Sequence, residues 1–147
     1  MRIALLFVAV IVAGCATTQS LPVEDRGRIY DMSFDVMFDA IVMALSEEGF
    51  AVTDARKNEG IINTDFRTGS SFTAYFRGGP TRTKVNALVT SMEAGTQVLL
   101  NIALEDANIE GRNVYATRNM STRSARRFYS ELFARIEAAA WPGASAE

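Results

Sequence analysis

Three acids, Asp31, Asp35 and Asp39, stand four residues apart. On a helix that spacing lines carboxylates along one face, as paired acid–base chemistry or an oxygen-ligated cation would require. The opposing reading is a solvated helix start whose negative charge compensates the helix dipole. Ser70 and Ser71 lie in a glycine-bearing stretch, and a serine nucleophile needs a base beside it. The chain has no His, which removes the usual base and the commonest metal ligand. Lys57 or Lys84 would have to serve, and neither sits in a local Ser–Lys motif. No GxSxG elbow frames the serines, and no DxDxDG calcium loop occurs. One Cys permits neither an internal disulfide nor a Cys-based zinc cage. The chain therefore reads as non-catalytic, with no metal and no cofactor in its folded part.

The elements that carry these residues belong to one domain. A chain of 147 residues with 48% apolar and 22% charged residues, 10 Gly and 3 Pro has an ordinary globular composition. The length allows one domain rather than two. A net charge of −2 gives no general attraction to nucleic acid.

The N-terminus reads MRIALLFVAVIVAGC. Arg2 supplies a short positive region. Ile3–Val12 is a ten-residue apolar run, too short for a helix across a hydrocarbon core of about 30 Å, and suited to the apolar part of a secretory signal. The run ends in Val12-Ala13-Gly14-Cys15, which resembles the bacterial lipobox. That resemblance implies a signal peptide over 1–14, cleavage before Cys15, and a diacylglyceryl and an N-acyl group on Cys15 as the membrane anchor. It further implies, from Ala16, the outer membrane, with the domain facing the periplasm. Residues 15–25 are then a lipidated flexible tether, small and polar with one Pro.

Residues 26–141 read as a single α+β domain, followed by a short tail over 142–147. Arg28–Met32 is a short strand. Ser33 caps a helix over about 34–48, in which Phe34, Phe38, Ile41 and Leu45 form one apolar stripe and Gly49 is the stop. Strands follow over Phe50–Thr53 and Ile61–Phe66, joined by the turn Lys57–Gly60. Two more run over Thr83–Ser91 and from Val98 to Leu104, joined at Glu93–Thr96. Val85, Ala87 and Val89 share one face, and Val98, Leu100, Ile102 and Leu104 alternate strictly. A last helix carries Ala125, Phe128, Leu132, Ile136 and Ala139, with Glu131 and Arg135 as an i,i+4 pair. Pro142-Gly143 ends it. The order β-α-β-β-β-β-α predicts an antiparallel meander packed on one face by two amphipathic helices.

Within it, "ALSEEGFAV…EGIINTDF" is similar to helix-grip-like domains of bacterial envelope lipoproteins, such as the globular domain of the lipoprotein C subunit of the outer-membrane β-barrel assembly machine. The motif spans Tyr30–Phe66, and the order of elements extends it over most of 28–141. The chain has one such domain rather than two and lacks that subunit's long N-terminal docking segment. The resemblance thus implies a fold and an envelope location rather than direct work in barrel assembly.

Charge is uneven. Glu24–Asp65 holds ten acids and four bases, whereas Arg112–Arg127 holds five Arg and no acid. Arg123, Arg126 and Arg127 share the polar face of the last helix. They form either a basic patch for anionic lipid or an acidic partner, or a solvated face balanced by nearby acids. Residues 67–82 place Phe72, Tyr75, Phe76 and Arg77 before a Gly-Gly-Pro break. They form either an extra element packed on the sheet or a loop presenting aromatic anchors. The function expected is a non-catalytic, lipid-anchored, periplasm-facing lipoprotein that meets another envelope protein through its sheet or this stretch. The alternative is a carrier of a small apolar ligand or lipid between helix and sheet, a space that Phe34, Phe38, Phe50, Phe128 and Trp141 would fill. Nothing in the sequence specifies the oligomeric state.

Overall fold

The computed structural model describes residues 21–68, 81–107, 115–117 and 122–141. The elements are α1 (Val23–Arg26), β1 (Gly27–Tyr30), α2 (Phe34–Glu47), β2 (Val52–Arg56), a single 3₁₀ turn (Lys57–Glu59), β3 (Ile61–Thr64), β4 (Arg67–Thr68), β5 (Thr81–Met92), β6 (Gly95–Ala107), β7 (Tyr115–Thr117) and α3 (Thr122–Ala140). The strands make one antiparallel sheet in the order β1-β6-β5-β3-β2, with β4 beside β5 and β7 beside β6.

The fold is α+β, with both long helices on one face of this sheet, as the periodicity predicts. β5 and β6 form its spine, paired from Thr81↔Asp106 to Met92↔Gly95 across the two-residue turn Glu93–Ala94. β1 joins the far side of β6, through Gly27↔Leu99 and Tyr30↔Thr96. The segment from β1 to β2 must therefore cross the whole sheet. Four interstrand spacings of about 4.8 Å come to about 19 Å, and fourteen helical residues rise about 21 Å. α2 fits that span and packs on β2, β5 and β6.

The ends of α2 are chemically specified. Ser33 Oγ accepts the Val36 N–H at 3.4 Å. At the other end Gly49 adopts φ +78°, its N–H bonds the Ser46 carbonyl at 2.9 Å, and the Phe50 N–H reaches back to the Leu45 carbonyl at 2.9 Å. This pair of bonds is a Schellman motif, with Phe50 and Leu45 both buried in the core beneath it.

Inward positions alternate as expected. Val85, Ala87 and Val89 from β5, and Val98, Leu100, Ile102 and Leu104 from β6, are buried. Against them pack Met37, Phe38, Ile41 and Leu45 of α2 and Ala125, Phe128, Leu132 and Ile136 of α3. Tyr129 and Phe133 complete the α3 stripe. The buried Ile102 N–H, on the β6 edge away from β5, donates to Tyr129 Oη at 3.2 Å.

Several boundaries differ from the sequence reading. Leu21 is buried in the core cluster and Val23–Arg26 is helical, so packed structure reaches back into the span expected to be flexible tether. The strand expected over Ile61–Phe66 stops at Thr64. Asp65 turns its N–H to the Ala51 carbonyl at 2.9 Å. Thr64 Oγ1 donates to the Val85 carbonyl at 2.8 Å and accepts the Val85 N–H at 3.0 Å. Pairing with β5 then resumes at β4. Trp141 does not fill the helix–sheet space, being 42% exposed with its ring 6.2 Å from that of Tyr30.

Candidate functional site

Two of the three spaced acids meet one lysine. Asp35 and Asp39, one turn apart on α2, both clamp the Lys57 ammonium, at 3.1 and 3.0 Å. Lys57 lies 5.8 Å from the Phe38 ring centroid. The hydrogen bonds to Asp39 and Asp35 hold the Lys57 pKa above its ordinary value, and the surface triad has one ammonium between two carboxylates. It borders an open depression also lined by Phe34, Gly60 and Val89. Asp31 precedes the helix and is exposed. Lys84 sits 5.9 Å from the Phe66 ring, while Ser70 and Ser71 lie outside the described residues. Among the described residues no three acids or thiols converge as metal ligands would. No described helix is long and apolar enough to cross a membrane.

A second polar cluster joins the two ends of the domain. Glu137 Oε1 of α3 accepts from Arg28 Nη1 at 2.6 Å and from Tyr30 Oη at 3.0 Å. The Arg28 guanidinium rests 4.5 Å from the Phe133 ring centroid. Burial, then the Glu137 carboxylate, drive the Tyr30 pKa well above the ordinary phenol value, and burial raises that of Tyr129. Unfolded tyrosines ionise near pH 10. A folded-state pKa raised above that value means the unfolded chain loses its phenolic protons first. The contribution of these two tyrosines to stability is therefore level below about pH 10 and falls above it. Tyr30→Phe should flatten the steepest part of that alkaline decline, as followed by thermal unfolding at successive pH values.

The basic face of α3 is partly neutralised. Arg126 Nε reaches Asp25 Oδ2 of α1 at 2.9 Å, and Arg127 Nε reaches Glu131 Oε1 at 2.9 Å. The expected Glu131–Arg135 pair is not made. Glu131 faces back to Arg127, and Arg135 instead bridges to Glu48 beside the α2 terminus at 3.1 Å. Packing α3 against α2 brings that acid within reach of Arg135. Arg123 is exposed.

The outer face of the sheet, away from the helices, carries a feature missed in the sequence. Strand register places Ile61, Leu88 and Leu99 side by side on β3, β5 and β6, with Gly27 next in the row. Ile29 is 54%, Leu88 43% and Met92 47% exposed. Beyond this apolar row lies a polar one, Asn63, Asn86 and Asn101. Phe66 then stacks under Arg82, at 4.5 Å, and Arg82 pairs with Glu105 at 2.6 Å. The signal was present in the strand sequences. The outward positions of β5 read Lys84, Asn86, Leu88 and Thr90, and Leu88 breaks their polar series. Leu99 does the same between Gln97 and Asn101.

Between sheet and helices the space is occupied by large side chains, among them Phe128, Phe133, Met37, Ile41 and Leu100, all fully buried. Phe38 and Phe50 are buried with them and Phe34 is partly so. Of the other residues singled out in the sequence, Cys15, Phe72, Tyr75, Phe76 and Arg77 lie outside the described residues. The ends of the aromatic stretch are placed, through the pairs Arg67↔Thr83 and Thr68↔Arg82. No known protein-family model and no curated protein sequence matches this chain.

Proposed function

We propose that the chain is a non-catalytic lipoprotein of the bacterial envelope, anchored through acyl groups on Cys15, and that the outer face of its sheet docks another envelope protein in the periplasm. The observation that carries the docking part is Leu88, 43% exposed and flanked in register by the half-buried Ile61 and Leu99, with Ile29 and Met92 exposed on the same face. A soluble domain gains nothing from large apolar side chains held in water, and clustered exposure of this kind marks interaction surfaces. The mixed character of the face supports the reading. Apolar residues lie beside an amide row and an Arg-stacked aromatic, the pattern of an apolar centre with a polar rim. The filled helix–sheet space favours docking over carriage of a small apolar ligand. The Val-Ala-Gly-Cys sequence supports the anchor, and the pairing of Asp35 and Asp39 with Lys57 supports a role without chemistry.

A photo-crosslinking residue at Leu88 in intact cells tests the docking. A discrete adduct from position 88, abolished by Leu99→Lys and absent when the crosslinker stands at Ala134 on α3, is expected. Leu88→Lys should abolish co-purification of the same partner while shifting stability by no more than about 0.5 kcal/mol, because both positions face outward. Equal adducts from positions 88 and 134, or a partner retained by Leu88→Lys, would refute it.

A further inference from the structure

The position of α1 says which side of the domain meets the bilayer. Leu21 is buried and α1 packs against α3 and β6, so the chain leaves the fold at a fixed point. Five residues, 16–20, separate Leu21 from Cys15. Fully extended, that connection reaches about 20 Å. A domain acylated at Cys15 thus keeps Leu21 within that distance of the membrane surface.

Across α1 and the first half of α3 that side carries four Arg against Glu24 and Asp25. Thr122–Ser130, the first half of α3, contains three Arg and no acid. Arg123, Arg126, Arg127 and Ser130 follow each other at helical spacing and are all exposed. The side chains of Arg126 and Arg127 keep 59% and 58% exposure despite their ion pairs. The Arg126 pair is made through Nε of a guanidinium that has five N–H donors, and ion pairs at the surface hold weakly. Val23 on α1 adds an apolar contact, 52% exposed. Both long helices cover one face of the sheet, so the exposed stripe of α3 and the Leu88 row lie on opposite surfaces of a two-layer unit.

We infer that α1 and the arginine stripe of α3 lie on anionic phospholipid headgroups, which turns the Leu88 face away from the bilayer. This orientation rests on acylation of Cys15 as proposed above. The mature, acylated chain in vesicles tests it, because its native thiol is blocked and Ser130→Cys and Leu88→Cys each supply a unique labelling site. In vesicles of phosphatidylethanolamine and phosphatidylglycerol, a fluorophore at position 130 should be quenched by headgroup-labelled lipid and one at position 88 should not. Quenching at 130 should be lost in phosphatidylcholine vesicles, at high salt, and in Arg123→Gln/Arg127→Gln. An acylated, vesicle-bound chain with position 130 unquenched, quenched equally without anionic lipid, or quenched less than position 88 overturns the orientation and leaves the anchor intact. A chain that carries no acyl group overturns both.

Discussion

Gly60→Ala should lower stability by about 2–4 kcal/mol, about twice the loss from Gly49→Ala, although both glycines adopt a left-handed backbone. Gly60 has φ +68° and Gly49 φ +78°, so the conformational strain on adding a methyl group is about the same at each. Their surroundings differ. A Cβ at Gly60 would lie 2.0 Å from the Val89 carbonyl oxygen, whereas one at Gly49 would meet the end of the Arg67 side chain at 3.0 Å. An arginine can swing aside. The Val89 carbonyl belongs to the central strand, and the Val89 N–H bonds the Gly60 carbonyl at 2.8 Å. Relieving the clash means lifting the 3₁₀ turn off β5 and breaking that bond. At a few degrees per kcal/mol for a domain of this size, the midpoint should fall by roughly 10 °C for Gly60→Ala. Calorimetry of the two variants checks this, and equal losses would contradict the close approach.

Phe128→Ala should cost more, about 3–5 kcal/mol. Phe128 is fully buried, among the largest side chains between α3 and the sheet. Its neighbours sit on two long, tied elements. α3 is fixed to the β6 edge by Tyr129 and to β1 by Glu137, so it cannot collapse into the void. Against a typical total of 5–15 kcal/mol, such a loss leaves the domain marginal at growth temperature. Denaturant unfolding should show a reduced midpoint. A loss under about 1 kcal/mol would mean that the helix–sheet space is not closely packed at Phe128.

The parts of this fold legible in the sequence were those set by local pattern. Strict alternation from Val98 to Leu104 and the stripe Phe34–Phe38–Ile41–Leu45 gave face and period together, and Ser33 and Gly49 marked the helix ends by capping chemistry. The missed features depend on distant residues. Helix α1 has a single turn and no stripe of its own, and it is placed by the buried Leu21 before it and by packing on α3 and β6, where Asp25 meets Arg126, 101 positions away. Arg135 found Glu48 rather than Glu131 because helix–helix packing, which sequence spacing does not encode, set the nearest carboxylate. Trp141 lies past the last buried turn of α3, where helical phase no longer points inward. The Leu88 row becomes a surface only when register aligns three strands, although Leu88 and Leu99 each broke a polar series.

The proposal stands on Cys15, and the mass of the native N-terminus tests it most directly. Protein recovered from the membrane fraction of its own cells should begin at Cys15, without residues 1–14, and carry a diacylglyceryl group and an amide-linked acyl chain on that cysteine, both absent from Cys15→Ser. A native chain that begins at Met1, sits in the cytosol and bears an unmodified thiol would contradict it.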